Sequence, residues 1–428
     1  GRRISSARTM AAGSPYPADS QVRDGRLFVG GCDTTELARE FGTPAYVIAE
    51  RDLRDRARAF TQALERAHDG PGRVVYASKA FPATAVLRVF AEEGLYVDVA
   101  SGGELHMALR AGFDPERIVL HGNAKAEHEL RAAVEAGVGL VVLDGEDPER
   151  LERIVPDGRR QACLVRVTPG VNADTHEAIM TGHAESKFGY APPTAAAIAH
   201  REWERLDIQG LHIHIGSQLF DISPFRAALG TLAGLGEFGV YDFGGGMAVA
   251  YTHHDQPPDP AKWVKSLVEI ARELIGPGKT LMIEPGRALV ANAGVTLYTV
   301  EDIKRIGGTE HKGIDMVAVD GGMSDNMRPL LYGAVYEAAI AGRMGEGRPW
   351  TVVGKHCESG DVLIRAASLR EPEVGDTLVT PVTGAYGHAM ANNYNGIPRP
   401  PVIFCKDGDA RVVVRRETYE DLHARDVA

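Results

Sequence analysis

A lysine closes the apolar run Val74-Val75-Tyr76-Ala77-Ser78-Lys79, and Phe81-Pro82 then breaks the pattern. A buried strand that carries an amine to the C-terminal mouth of a parallel barrel leaves it poorly hydrated. Desolvation favours the neutral amine, the nucleophile of Schiff-base chemistry with an aldehyde. The competing reading is a strand-end lysine that keeps its ammonium in water. Other reactive residue types end similar runs: Asp98-Val-Ala-Ser101-Gly-Gly-Glu104, His121-Gly-Asn123, His212-Ile-His214-Ile-Gly216-Ser217-Gln218, Asp242-Phe-Gly244-Gly245-Gly246 and Glu284-Pro-Gly286-Arg287. Glycines let backbone N–H groups approach a phosphate closely, and Arg287 adds charge, so the last two segments read as an anion cradle rather than plain turns. Their spacing is not the Gly-x-Gly-x-x-Gly dinucleotide fingerprint.

His212 and His214 stand two apart on a predicted strand, so both point to one side. Three readings stay open for them: metal ligands as in barrel hydrolases, a ring stacked on an aromatic ligand, or satisfied core histidines. Lys355-His-Cys357-Glu358-Ser-Gly-Asp361 sets a thiol against two carboxylates in a turn. Unaided, such a cysteine reads as inert more readily than reactive. Tyr386 lies between Gly384-Ala and Gly387, where its ring could face a flat ligand or a bland turn.

The elements that must position these residues follow a rhythm of short apolar strand and amphipathic helix. Strands are predicted at 74–78, 96–100, 118–121, 140–143, 162–167, 208–215, 240–243 and 281–284, with helices such as 83–93, 104–111 and 127–136 between them. Apolar strands without alternation, separated by helices, indicate a parallel sheet covered on both faces, and eight of them indicate a closed (β/α)8 barrel. The barrel is expected over residues 45–292. Beyond about Ala293 the strands alternate with Gly- and Pro-containing turns and one helix near 332–341. Residues 21–44 with 293–428 therefore read as a discontinuous, mainly antiparallel β-barrel or sandwich domain. Within 21–44 a helix is expected over 34–41, capped by Thr34 or Thr35.

The chain has 428 residues, long enough for two domains, with 44% hydrophobic and 25% charged residues. Its formal charge of −11 argues against nucleic acid as a partner. No apolar run spans a bilayer, and the basic start leads into no apolar core, so residues 1–20 read as a flexible tail rather than a secretory signal. Cys32, Cys163, Cys357 and Cys405 form no Cys-x-x-Cys pair. A soluble protein of the reducing cytoplasm is expected.

Taken in order, these segments resemble the alanine-racemase-like, fold-type III class of pyridoxal-phosphate enzymes, and within it the diaminopimelate decarboxylase family. The resemblance runs from about residue 25 to 420. It is carried further by Glu185-Ser-Lys-Phe-Gly189, Val319-Asp-Gly-Gly-Met-Ser-Asp-Asn326, Arg328-Pro-Leu-Leu-Tyr332-Gly, Cys357-Glu-Ser-Gly-Asp361 and Gly384-Ala-Tyr386-Gly387. The resemblance implies that Lys79 carries pyridoxal phosphate, Glu284 pairs with its ring nitrogen, and His214 stacks on the ring, with no metal. It implies that Ser217, Gly245, Gly286 and Arg287 hold the phosphate end, and it adds Asp98 and Tyr386 to the cofactor set. Arg287, Arg328, Tyr332, Glu358 and Tyr386 would bind substrate, and Cys357 would be the catalytic acid. In this family the cysteine loop comes from the partner subunit, which implies a homodimer with shared sites. The implied reaction converts meso-2,6-diaminopimelate to L-lysine and CO2, in lysine biosynthesis. Between Gln218 and Asp242 the chain is shorter than the family pattern by roughly two helical turns, so the helix there is expected to be truncated. The alternatives are a sibling decarboxylase acting on another amino acid or a carrier-bound one, a non-catalytic pyridoxal-phosphate binder, and a metal-dependent barrel hydrolase using His212 and His214.

Overall fold

The computed structural model describes residues 7–170, 186–306 and 313–427. The chain divides into two compact units: Arg54–Ala248 with Pro257–Leu289, and Gly1–Leu53 with Val249–Gln256 and Val290–Ala428.

The first unit is the expected barrel. Gly72–Ala77, Tyr96–Val99, Ile118–Leu120, Leu140–Leu143, Gln161–Arg166, Leu206–His212, Val240–Asp242 and Thr280–Ile283 pair in parallel, each with the next, and the last closes on the first. Runs such as Leu-Val-Val-Leu at 140–143 are buried throughout, because their side chains alternate between the barrel interior and the covering helices. Val75, Val119, Leu140, Val142, Leu164, Val240 and Met282 fill the interior as one cluster. At Gly210 the sixth strand comes so close to the seventh that a Cβ would stand 1.7 Å from the Val240 carbonyl oxygen.

All the barrel strands except Leu140–Leu143 end earlier than expected, and two of these ends bear on the site. The first strand stops at Ala77 and the chain turns through the 3-10 segment Ser78–Ala80, so Lys79 rides on a turn beyond the strand. The sixth stops at His212, because its last parallel partner is Asp242, where the seventh strand also ends. His214 therefore lies beyond the strand, and the two histidines do not share a strand face. The helix that follows, Ser223–Ala233, has eleven residues, against fifteen in Pro260–Leu274.

The second unit is built on a nine-stranded sheet and a four-stranded sheet. Gly294–Lys304 pairs antiparallel with Met316–Val319, Thr377–Pro381 and Ala45–Ala49. Two joins are parallel, Met316–Val319 with Arg348–Val353 and Ala45–Ala49 with Val402–Lys406. Ala45–Ala49 thus belongs to this sheet and not to the barrel region of 45–292; a strand buried on both faces reads alike in either core. The helix expected near 332–341 is instead Arg328–Tyr332, stopped by Gly333 at φ 63, and Ala339–Ile340 pairs with Thr377–Pro381. The early helix Thr34–Phe41 is capped by Asp33, whose carboxylate accepts from Thr35 N, rather than by a threonine. The segment expected as a tail is structured from Ala7: Ala7–Thr9 pairs with Gln21–Arg23, and Tyr16 joins the core of Val47, Leu297 and Ile403. Among the described residues no helix is long and apolar enough to cross a membrane.

The contact at Gly210 yields a paired stability test. Gly210→Ala must part the sixth and seventh strands and is expected to cost about 1–3 kcal/mol, the scale of overpacking. Gly230→Ala, in an exposed helix position with nothing within 4 Å, is expected to gain roughly 0.5–1 kcal/mol. Thermal unfolding of both variants checks this; equal melting temperatures would contradict it.

Candidate active site

The polar residues of the barrel unit converge at the C-terminal ends of its strands. Glu284, just past the last strand and only 6% exposed, lies between two histidines. His212 Nε2 is 2.7 Å from Glu284 Oε2, and His121 Nε2 is 3.0 Å from Oε1, though off hydrogen-bond geometry. The two imidazoles meet edge to face with centroids 4.8 Å apart. Asp242, fully buried, accepts from Gly244 N at 2.9 Å through Oδ1, which braces the glycine turn.

Burial decides the charges here. It drives His121 down and His212 well below the ordinary imidazole value, so both rings are neutral and able to hold a carboxylate by hydrogen bonding. Burial, reinforced by the neighbouring Glu284, pushes Asp98 and Asp242 well above the usual carboxylate range, with His121 pulling the other way on each. Several carboxyls packed together cannot all ionise, so Asp98 and Asp242 favour their protonated forms. Arg166 ends the fifth strand in this neighbourhood, with its guanidinium 4.5 Å from the Phe188 ring centroid. Burial opposes its charge, while Asp144, Glu284, Asp98 and Asp242 favour it.

Lys79 is exposed, so its own chain neighbours do not supply the poor hydration expected from the sequence. The reason is the 3-10 turn, which lifts the side chain off the strand. That turn is firmly held: Tyr76 Oη donates to the Phe81 carbonyl at 2.9 Å, and Ala77 N to the Pro285 carbonyl at 3.1 Å. The Lys79 charge is felt by Asp98, Glu104 and His214. His214, driven well below its usual value first by burial and then by Lys79, is neutral, and its Nδ1 accepts from Gly245 N at 3.4 Å.

The glycine turns form a cradle. Gly244 at φ +66 and Gly246 at φ +113 adopt backbone that favours glycine, and a Cβ on Gly245 would stand 2.3 Å from the Glu284 carbonyl oxygen. A Cβ on Gly286 would meet that of Ala77 at 2.8 Å. Arg287 Nη2 donates to Ser217 Oγ at 2.9 Å, which joins the two polar groups expected at a phosphate. The Ser217 loop is laced to the glycine loop by Leu219 N to Gly246 O at 2.7 Å and Ala248 N to Leu219 O at 2.9 Å.

His121, His212, Asp242 and Glu284 also have the composition of a metal-ligand set, with candidate atoms within 4.8 Å of one another. The group includes His212 but not His214, unlike the histidine pair considered from the sequence. Ligand atoms around a tetrahedral ion with bonds of ~2.0 Å stand roughly 3.3 Å apart. The 2.7 and 3.0 Å contacts to Glu284 are closer than that, and the His212 contact is a hydrogen bond.

The remaining predicted residues lie in the sheet unit. Arg328 is buried; Tyr332 and Tyr386 are half-buried; Cys357 and Glu358 are exposed. Tyr386 holds φ 60 between Gly384, where a Cβ would stand 1.9 Å from the Val290 carbonyl oxygen, and Gly387. A tyrosine kept in left-handed backbone is the kind of strain that marks ligand-facing positions. The cysteine turn differs from the expected thiol between two carboxylates. Asp361 is buried and accepts from Met323 N at 2.7 Å and His356 N at 3.0 Å, with His356 Nδ1 2.7 Å away, so only Glu358 shares the exposed side with Cys357. Cys357 N donates to Asn395 Oδ1 at 2.8 Å.

In the sequence His121 and Asp242 read only as strand ends, and Arg166 and the role of His212 against Glu284 carry no expectation. Each is a charged or imidazole residue closing an apolar strand, and that was the available signal. Glu185 of the Glu185–Gly189 match lies outside the described residues.

Residues 50–291 match the family model described as pyridoxal-dependent decarboxylase, pyridoxal binding domain. Diaminopimelate decarboxylase of Bacillus subtilis (strain 168) is 44% identical, over 94% of this chain and 95% of that protein. The enzyme of the same name from Actinosynnema pretiosum subsp. auranticum is 45% identical, over 96% of this chain and 95% of that protein. Among solved structures, diaminopimelate decarboxylase from M. jannaschii in co-complex with L-lysine superposes with a TM-score of 0.86 at 33% identity, covering 96% of this chain and 98% of that one. With the family model matched over more than half of the chain and relatives above 40% identical over nearly all of it, the chain belongs to the diaminopimelate decarboxylase family of pyridoxal-dependent enzymes.

Proposed function

We propose that this protein decarboxylates meso-2,6-diaminopimelate to L-lysine and CO2 with pyridoxal phosphate held at the barrel rim. The observation that carries the reading is Glu284, buried and hydrogen-bonded to a neutral His212 in the unit that also carries Lys79 and the glycine cradle. The site fits the group: the turns at Gly245 and Gly286 have no room for a side chain, and Ser217 and Arg287 add a hydroxyl and a cation for a phosphate. When bound, pyridoxal phosphate supplies an electron sink for the charge left by departing CO2.

The chain's own residues do the rest. Lys79 would hold the cofactor through its side-chain amine. Glu284 would meet the ring nitrogen and keep a proton on it, with its carboxyl aimed by the hydrogen bond to His212 and His121 packed beside it. Asp98 and Asp242, favouring their protonated forms, add little competing negative charge. His214 offers a neutral, flat ring to the cofactor face. Gly245, Gly286, Ser217 and Arg287 take the phosphate end, with Arg287 also near substrate.

Arg328, Tyr332 and Glu358 grip the amino-acid head that does not react, and Tyr386 lies against cofactor and substrate. Cys357 Sγ delivers the proton that replaces CO2 on the reacting carbon. The exposure of Cys357 and Glu358 suits a loop that serves a second copy, in a homodimer with two shared sites. Leu330, Leu331 and Val335, 45%, 51% and 66% exposed, give the sheet unit apolar surface for such a contact. Four free cysteines suit the reducing cytoplasm.

Offered meso-, LL- and DD-diaminopimelate, lysine and ornithine, the purified protein should release CO2 from the meso isomer far faster than from the others. Release from lysine or ornithine alone would make it a sibling decarboxylase. Cys357→Ala should load cofactor normally while kcat falls by about 10²–10⁴-fold, the range of general acid–base catalysis; unchanged kcat would remove the thiol from this role.

A further inference from the structure

Arg328 is a buried cation. It is 8% exposed. Among the described residues no carboxylate pairs with it; its surroundings are phenols. Its Nη1 donates to Tyr336 Oη at 2.8 Å, and its guanidinium carbon lies 4.8 Å from the centroid of the Tyr251 ring and 5.8 Å from that of Tyr336. Tyr251 and Tyr336 are themselves packed edge to face, centroids 5.3 Å apart at 86°, and are 7% and 2% exposed. Buried charges are ordinarily paired, because an isolated one loses its hydration without return. Burial works against the Arg328 charge, but a guanidinium is basic enough to stay protonated there, with the Tyr336 hydroxyl accepting one of its hydrogen bonds.

The use of tyrosines rather than a carboxylate has a chemical consequence. An Asp or Glu in their place would hold the guanidinium equally well, but would neutralise it and compete with any incoming carboxylate. A phenol oxygen and two ring faces fix the fork in orientation while leaving its charge uncancelled. Tyr251 is itself anchored, since its neighbours in the 249–256 segment bind Glu337, next to Tyr336, through His253 N at 2.9 Å.

We infer that Tyr251 and Tyr336 are positioning and specificity-determining residues: a neutral cage that presets Arg328 for the carboxylate of the unreacting amino-acid head. The inference rests on the function proposed above and deepens it. The enzyme then distinguishes a diamino acid that keeps a carboxylate from a plain diamine by this cage.

The test uses cofactor-loaded Tyr336→Phe and Tyr251→Leu enzymes, with folding checked by melting temperature and cofactor content. Tyr336→Phe should raise KM for meso-diaminopimelate about tenfold, the worth of one hydrogen bond to a charged group, with a much smaller change in kcat. It should weaken inhibition by L-lysine, which keeps the carboxylate, by a similar factor. Inhibition by 1,5-diaminopentane, the same chain without a carboxylate, should stay within about twofold. Tyr251→Leu, which removes one ring face but keeps the bulk, should act in the same sense with a shift of roughly fivefold. Unchanged L-lysine inhibition in both folded variants, or equal weakening for lysine and diaminopentane, would overturn the inference. A native enzyme inactive on meso-diaminopimelate would instead overturn the functional reading, a separate and recognisable result.

Discussion

The barrel unit is organised around one buried carboxyl. Glu284 is out of water; His212, which burial keeps neutral, holds one oxygen by a 2.7 Å hydrogen bond, and the likewise neutral His121 stands 3.0 Å from the other. A carboxyl in such a place needs partners, because desolvation without hydrogen bonds costs several kcal/mol. Charged partners would fix it in an ion pair. A neutral imidazole instead orients it by a hydrogen bond. Asp98 and Asp242, favouring their protonated forms beside it, are consistent with one working carboxyl and two supporting ones.

That clamp imposes demands on the backbone. His121, His212 and Glu284 come from the third, sixth and eighth strands, so their meeting depends on closed parallel pairing. The close strand approach at Gly210 is part of that closure, and the missing Cβ atoms at Gly245 and Gly286 let the turns fold tightly beside Glu284 and Ala77. In the sheet unit the same economy of charge recurs. Arg328 is held by phenols, and Asp361 is turned inward to brace the loop that presents Cys357. Each unit thus fixes a buried ionisable group with neutral partners.

Much of this was legible in the sequence because strand ends announce themselves. Non-alternating apolar runs showed the eight barrel strands, and the polar residue closing each run marked the rim. The misreadings have specific causes. Ala45–Ala49 has the same buried composition as a barrel strand, and only its partners, Gly294–Lys304 and Val402–Lys406, place it in the sheet. The strand limits at Ala77 and His212 are set by where pairing ends, which composition does not record, so the exposure of Lys79 and the separation of His212 from His214 were out of reach. Gly333, a left-handed helix stop, was readable and still left the following residues looking helical. The pairing of His212 with Glu284, 72 residues apart in sequence, and the tyrosine cage of Arg328 are tertiary facts with no local signature.

The central claim is that Glu284, aimed by neutral histidines, keeps the cofactor ring nitrogen protonated. Its most direct test is the nitrogen-15 NMR shift of ring-labelled pyridoxal phosphate bound to the native enzyme and to Glu284→Gln. A protonated ring nitrogen is expected in the native enzyme and an unprotonated one in the variant, with cofactor still bound. An identical shift in both proteins would contradict it.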